Sequence, residues 1–149
     1  MSNRPYICGP LTELTPQIRE AVKEFYTRLA DLCERILGVR AFVPHEHYDP
    51  ITHAHFTPQD VDQAERHLVC KETSLLIVVA IEPTWGGGIE VEMAHRSDVP
   101  VIIVQPSYKT VSRLLRGNPA VRHIIEYSDF HDAECQLEAR LAEMAAIRA

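Results

Sequence analysis

The chain has 149 residues, enough for one domain, spanning 1–149, with a hydrophobic core of its own. Apolar residues make up 46% and charged residues 24%, the balance of a soluble globular fold, and no apolar run approaches the ~20 residues needed to span a bilayer. A net charge of −6 argues against nonspecific binding to a nucleic acid polymer or to an anionic membrane.

The N-terminal residues lead straight into an apolar run with no signal-peptide pattern. Cys8, Cys33, Cys70 and Cys135 are scattered, without a Cys-x-x-Cys pair. Reduced thiols in a cytoplasmic protein are the expectation. A catalytic role for Cys8 is the alternative to simple burial.

In chain order, residues 5–9 read as a first strand ended by Gly9-Pro10. Residues 16–37 carry Ile18, Val22, Phe25, Leu29, Leu32, Cys33 and Ile36 at three- and four-residue spacing, a helix that Gly38 closes. Residues 40–43 predict a second strand, and a histidine-rich polar loop covers 44–56. Thr57, Pro58 and Asp60 are suited to cap and open a helix that runs to about residue 72.

Residues 74–81 are continuously apolar, as in a strand covered on both faces. A glycine turn at 86–88 then precedes a helix over 89–96. Residues 99–105 form another buried strand, and 110–116 a short helix stopped by Gly117-Asn-Pro119. A last strand over 124–127 leads to an amphipathic helix over 129–148. Its Leu137, Leu141 and Met144 stripe faces either the core or a subunit interface. The alternation predicts an α/β fold, a parallel sheet of about five strands between two helical layers.

The segment over residues 77–94 is the most informative for function. A strand that ends in glycines before a helix is a common place to hold a small ligand. Glu90 falls at the predicted helix start, where peptide dipoles favour an ionised carboxylate. Glu92, two residues on, lies ~200° away around the helix and cannot face the same pocket. The alternative is a tight turn followed by a surface glutamate that merely complements the dipole.

Tyr6-Ile-Cys-Gly-Pro10 together with Gly86-Gly-Gly-Ile-Glu-Val-Glu-Met-Ala94 and Val99-Pro-Val101 resembles the nucleoside 2-deoxyribosyltransferase family, which includes deoxynucleoside 5′-monophosphate N-glycosidases. The resemblance covers roughly residues 5–105. It implies a flavodoxin-like or Rossmann-like three-layer sandwich and a glutamate nucleophile at Glu90. It also implies a Tyr6 that orients Glu90 or touches the sugar. The partners it implies are a nucleoside or nucleotide, a free nucleobase, and further copies of the chain in a homo-oligomer.

Such a carboxylate would stabilise, and bond to, the anomeric carbon as an N-glycosidic bond breaks. The sugar would then pass to a second base or to water. A nucleotide-sensing module without turnover is the alternative on the same fold.

The chain departs from the family pattern at Glu92, where glycine is frequent, and at residues 82–85, where an aspartate is frequent. It departs again near the helix before the central strand, where an acid handles the base. The nearest matching position here is His67, with Glu65 beside it.

Further substrate-binding candidates are Gly9, Pro10, Thr12, Thr84, Trp85, Gly86, Gly87 and Met93. Trp85 reads either as a stacking platform for a base or as core, and Tyr48 and Phe56 could add flat walls. The histidine loop offers His45 and His47 to a substrate; a metal site around His-x-His spacing and a plain polar surface are the alternatives. Neither a P-loop nor a dinucleotide fingerprint is present. The chemistry expected here calls for no cofactor and no metal.

Overall fold

The computed structural model describes residues 3–50 and 52–149. Its elements run β1 (Arg4–Cys8), α1 (Pro16–Leu37), α2 (His45–Tyr48), α3 (Pro58–His67), β2 (Thr73–Val79), α4 (Trp85–Arg96), β3 (Val101–Pro106), α5 (Arg113–Arg116), β4 (Val121–Tyr127) and α6 (Phe130–Arg148). A π-helical stretch, Leu68–Glu72, continues α3 to the start of β2.

The sheet has four parallel strands in the order β1-β2-β3-β4. The expected strand over 40–43 contributes one parallel bridge, Phe42 to Tyr6, on the free edge of β1. Two backbone bonds carry it: Ile7 donates to the Phe42 carbonyl at 2.9 Å, and Phe42 donates to the Pro5 carbonyl at 2.8 Å. Pairing stops there because only a few residues separate the left-handed cap at Gly38 (φ 79°) from Pro44, already helical at φ −55° and ψ −38°. With this segment included, the chain leaves β1 toward one edge and returns to the other side of it at β2. The point of reversal, between β1 and β2, is where open α/β sheets bind ligands.

Two cores cover the two faces of the sheet. On one side Phe25, Leu29 and Cys33 of α1 and Leu137 and Leu141 of α6 pack on Ile7, Ile77 and Ile102. Burial of Leu137 and Leu141 settles their stripe as internal, with Met144 packed at its margin. Ile18, expected on the buried face of α1, is instead 45% exposed. On the other side Val91, Met93 and Ala94 of α4 and Val69 pack on Tyr6, Leu76, Val78 and Ile103. Side chains alternate along a strand, so Tyr6 and Cys8 of β1 both face α4.

Candidate active site

Helix α4 begins one turn earlier than its sequence suggests. Its cap is Thr84, whose hydroxyl accepts from the Gly87 N–H at 2.9 Å. The three glycines therefore form the first helical turn rather than a loop. Gly87 has a steric reason to be glycine: a Cβ there would lie 2.5 Å from Thr84 Oγ1 and 3.5 Å from Cys8 Sγ. This packing of helix start against cap and strand overrides the poor helix propensity of glycine.

Glu90 consequently lies in the second turn, beyond the strongest field of the helix terminus. Burial, not the dipole, dominates its electrostatics. The residue is 7% exposed, and burial raises its carboxyl above the ordinary glutamate value. Two donors from β1 oppose that rise: the Tyr6 hydroxyl, at 2.6 Å from Oε1, and the Cys8 thiol. Tyr6 is itself fully buried and stacks on Phe42 at 5.4 Å between ring centroids. Burial and the neighbouring Glu90 push the Tyr6 hydroxyl and the Cys8 thiol well up. Both stay protonated and act as donors, which removes support for Cys8 as a thiolate nucleophile.

Glu90 opens on a cavity of about 440 Å³ that it shares with Glu65 of α3. Glu65 is pushed up to about 7, first by burial, then by the charges of Glu90 and Asp62. Asp62 also lines this recess; of its carboxyl groups, the buried Glu90 and Glu65, poised near neutrality, can divide the roles of nucleophile and acid. Tyr48 and Phe56 supply an aromatic corner, edge to face at 5.1 Å, and His53 and Met93 complete the wall.

A second and larger concavity, about 1230 Å³, lies across α4. Gly87, Val91 and His95 face it, whereas Gly86, Glu90 and Met93 face the smaller one. The larger one also reaches Gly9, Thr84 and Trp85, together with Tyr108 and Leu114. The smaller cavity is the one that holds both raised carboxyls, Glu65 and Glu90.

The sequence-derived candidates are thus divided. Glu65, Gly86, Glu90 and Met93 line the smaller cavity, and Tyr6 lies buried behind it, bonded to Glu90. Gly9, Thr84, Trp85 and Gly87 line the larger one. Trp85 is 93% exposed, so it is not core. Pro10 is buried, its carbonyl accepting from the Tyr26 hydroxyl at 2.6 Å, and Thr12 is exposed in the following turn.

His45 and His47 line neither cavity. The ring of His47 stacks on Phe42 at 4.6 Å. His45 packs against Tyr26, and burial lowers its pKa. His67 is exposed and lies 3.1 Å from Glu72; the acids of α3 that line the cavity are Asp62 and Glu65, on another face of the helix. Among the described residues no three His, Cys, Asp or Glu side chains converge as a metal-holding group. Of the polar cavity residues, Asp62 carries no sequence signal, and His53 stands out only as part of the histidine-rich loop. The signal for His53 lay in the same loop, beside the aromatic Tyr48 and Phe56.

No protein-family model matches the sequence, and no curated protein matches it. Solved structures do. The Clostridium botulinum CMP N-glycosidase BcmB superposes with a TM-score of 0.67 at 16% identity, over 92% of this chain and 99% of that one. A conserved protein from Enterococcus faecalis V583 superposes with a TM-score of 0.64 at 14% identity, over 97% of this chain and 99% of that one. At these identities the likeness is one of fold.

Proposed function

We propose that this chain is an N-glycosyl enzyme of the nucleoside 2-deoxyribosyltransferase type, cleaving the bond between base and sugar in a 2′-deoxyribonucleoside or its 5′-monophosphate. The observation that carries the proposal is the buried Glu90, held by Tyr6 and sharing a cavity with Glu65. The fold likeness to a CMP N-glycosidase supports it.

In this mechanism a Glu90 oxygen attacks C1′ as the C1′–N bond breaks, and the bonding pair leaves with the base. Protonated Glu65 gives its proton to the departing base. Positive charge at C1′ is stabilised by the Glu90 anion before the glycosyl–glutamate bond forms. Water, or the nitrogen of a second base, then attacks C1′. Glu65 takes the proton from that nucleophile and Glu90 is released. The Tyr6 hydroxyl orients the carboxylate throughout without giving up its proton.

We further infer that the working unit is a homo-oligomer, a dimer or larger. The larger cleft is rimmed by Trp85, Tyr108 and Leu114, which are 93%, 77% and 88% exposed. Large apolar side chains clustered in solvent suit a second copy of the chain. Sedimentation of the wild type against a Trp85→Ala, Leu114→Ala double variant tests this; equal masses at monomer size overturn it.

The function is tested by incubating the protein with the common deoxynucleosides and their monophosphates, with and without a second free base, and resolving the products. Release of base supports hydrolysis, and appearance of a new nucleoside supports transfer. Tight binding with no product from any substrate would favour the non-catalytic sensing alternative.

A further inference from the structure

The loop after α2 fixes one imidazole at the wall of the cavity, and the fixing can be traced to an ion pair between a partly exposed lysine and a buried aspartate. Asp49 is 2% exposed, and Lys23 of α1 reaches its Oδ2 at 2.7 Å. The other carboxylate oxygen, Oδ1, accepts from the Thr52 N–H at 3.2 Å, and the Asp49 carbonyl accepts from the His53 N–H at 2.7 Å. These bonds anchor the backbone leading into His53, and the Phe56 N–H, donating to the His53 carbonyl at 3.3 Å, holds the other side.

The ring is then oriented by what meets its Nδ1. The backbone N–H of Asp49 points at Nδ1 from 3.2 Å, and the Thr52 hydroxyl lies at 3.2 Å from the same atom. A backbone N–H can only donate, so Nδ1 is an acceptor and the proton of the neutral ring sits on Nε2. His53 lines the cavity that also holds Glu65, Glu90 and the aromatic pair Tyr48 and Phe56.

We propose that His53 is a specificity-determining residue whose Nε2–H donates a hydrogen bond to an acceptor atom of the leaving base, next to the glycosidic nitrogen. The proposal rests on the N-glycosidic reading above and deepens it. Such an acceptor is the carbonyl oxygen of a pyrimidine or a ring nitrogen of a purine. As the bond to C1′ breaks, the electron pair spreads onto that acceptor, so the hydrogen bond strengthens in the transition state. No proton leaves His53; the proton the base acquires comes from Glu65. A leaving group without that acceptor gains nothing from His53.

The test compares two leaving groups in one protein. The wild type, His53→Ala and His53→Gln are assayed on the best deoxynucleoside substrate and on 4-nitrophenyl 2-deoxyriboside, whose phenolate departs unaided. The readout is the ratio of kcat/KM between the two substrates. His53→Ala lowers that ratio by about tenfold or more, the usual size of one lost hydrogen bond in a desolvated site. Gln, with an amide N–H near the position of Nε2, recovers part of it. An unchanged ratio, with both substrates slowed alike, overturns the proposal and leaves His53 as packing.

If the wild type releases no base from any substrate, the glycosidic reading falls and calorimetric binding of free nucleobases decides the rest. Affinity weakened about tenfold in His53→Ala supports the donor role. Equal affinities overturn it.

Discussion

The Tyr6 hydroxyl donates to Glu90 Oε1 at 2.6 Å, joining residues 84 positions apart in the chain. This bond links the first strand to the second turn of α4 inside the core. Tyr6→Phe keeps the ring stacked on Phe42 and removes only the donor. Hydrogen bonds to charged groups contribute about 1.5–3 kcal/mol, so kcat falls by about 10- to 100-fold. Loss of the donor also raises the Glu90 pKa further. The acid limb of the rate profile therefore moves to higher pH, which stopped assays across pH detect.

Glu65 controls the other limb. Its carboxyl, raised to about 7, must carry a proton to serve the leaving base. Activity is therefore present below that value and is lost as pH rises through about 7. Glu65→Gln cannot give a proton. It lowers kcat/KM by about 100-fold or more on the natural substrate and removes the alkaline limb, while a phenolate leaving group is spared most of the loss.

The site holds its geometry against stability. Glu90 has a higher pKa in the folded chain than unfolded. The folded state therefore binds that proton more tightly, and the wild type loses stability as pH rises above the unfolded value. Glu90→Gln removes the buried charge. Near pH 8 it gains on the order of 1 kcal/mol, a melting temperature higher by about 2–4 °C. Near pH 4.5, where the unfolded carboxyl titrates, the gap closes. Calorimetric melts at both ends of that window measure it.

The first turn of α4 gives a contrast between neighbouring glycines. Gly87→Ala drives a methyl into Thr84 Oγ1 and breaks the cap, a loss of about 1–2 kcal/mol. At Gly88 a Cβ meets open space. Gly88→Ala in the same helix therefore stabilises by about 0.5–1 kcal/mol. Urea titration of the two variants separates them by sign.

These residues also show how far the sequence alone leads. The alternation of apolar runs and helical spacing is enough for the parallel sheet, because the central strands β2 and β3, buried on both faces, leave no polar alternation to confuse. The strand over 40–43 was overestimated, since its apolar pattern says nothing of the Gly38 cap and Pro44 that bound it. Glu90 and Tyr6 were legible as motif residues, but the reason for the charge state of Glu90 was not. Glycine is ordinarily read as a turn, and only the fold, with Thr84 capping at the Gly87 N–H, places these glycines in a helix. Preference for Glu65 over His67 depends on which face of α3 meets α4, a tertiary fact. His53 was invisible as an individual because its orientation depends on Lys23, distant in sequence and joined through Asp49.

A covalent bond between Glu90 and the sugar distinguishes this mechanism from every alternative on the same fold. Wild type and Glu90→Gln are mixed with the substrate panel, quenched during turnover, digested and measured by mass spectrometry alongside base release. One deoxyribosyl adduct is expected on the wild-type peptide that contains Glu90, and neither adduct nor base release from Glu90→Gln. Undiminished base release by Glu90→Gln, or an adduct on another residue, would contradict the mechanism.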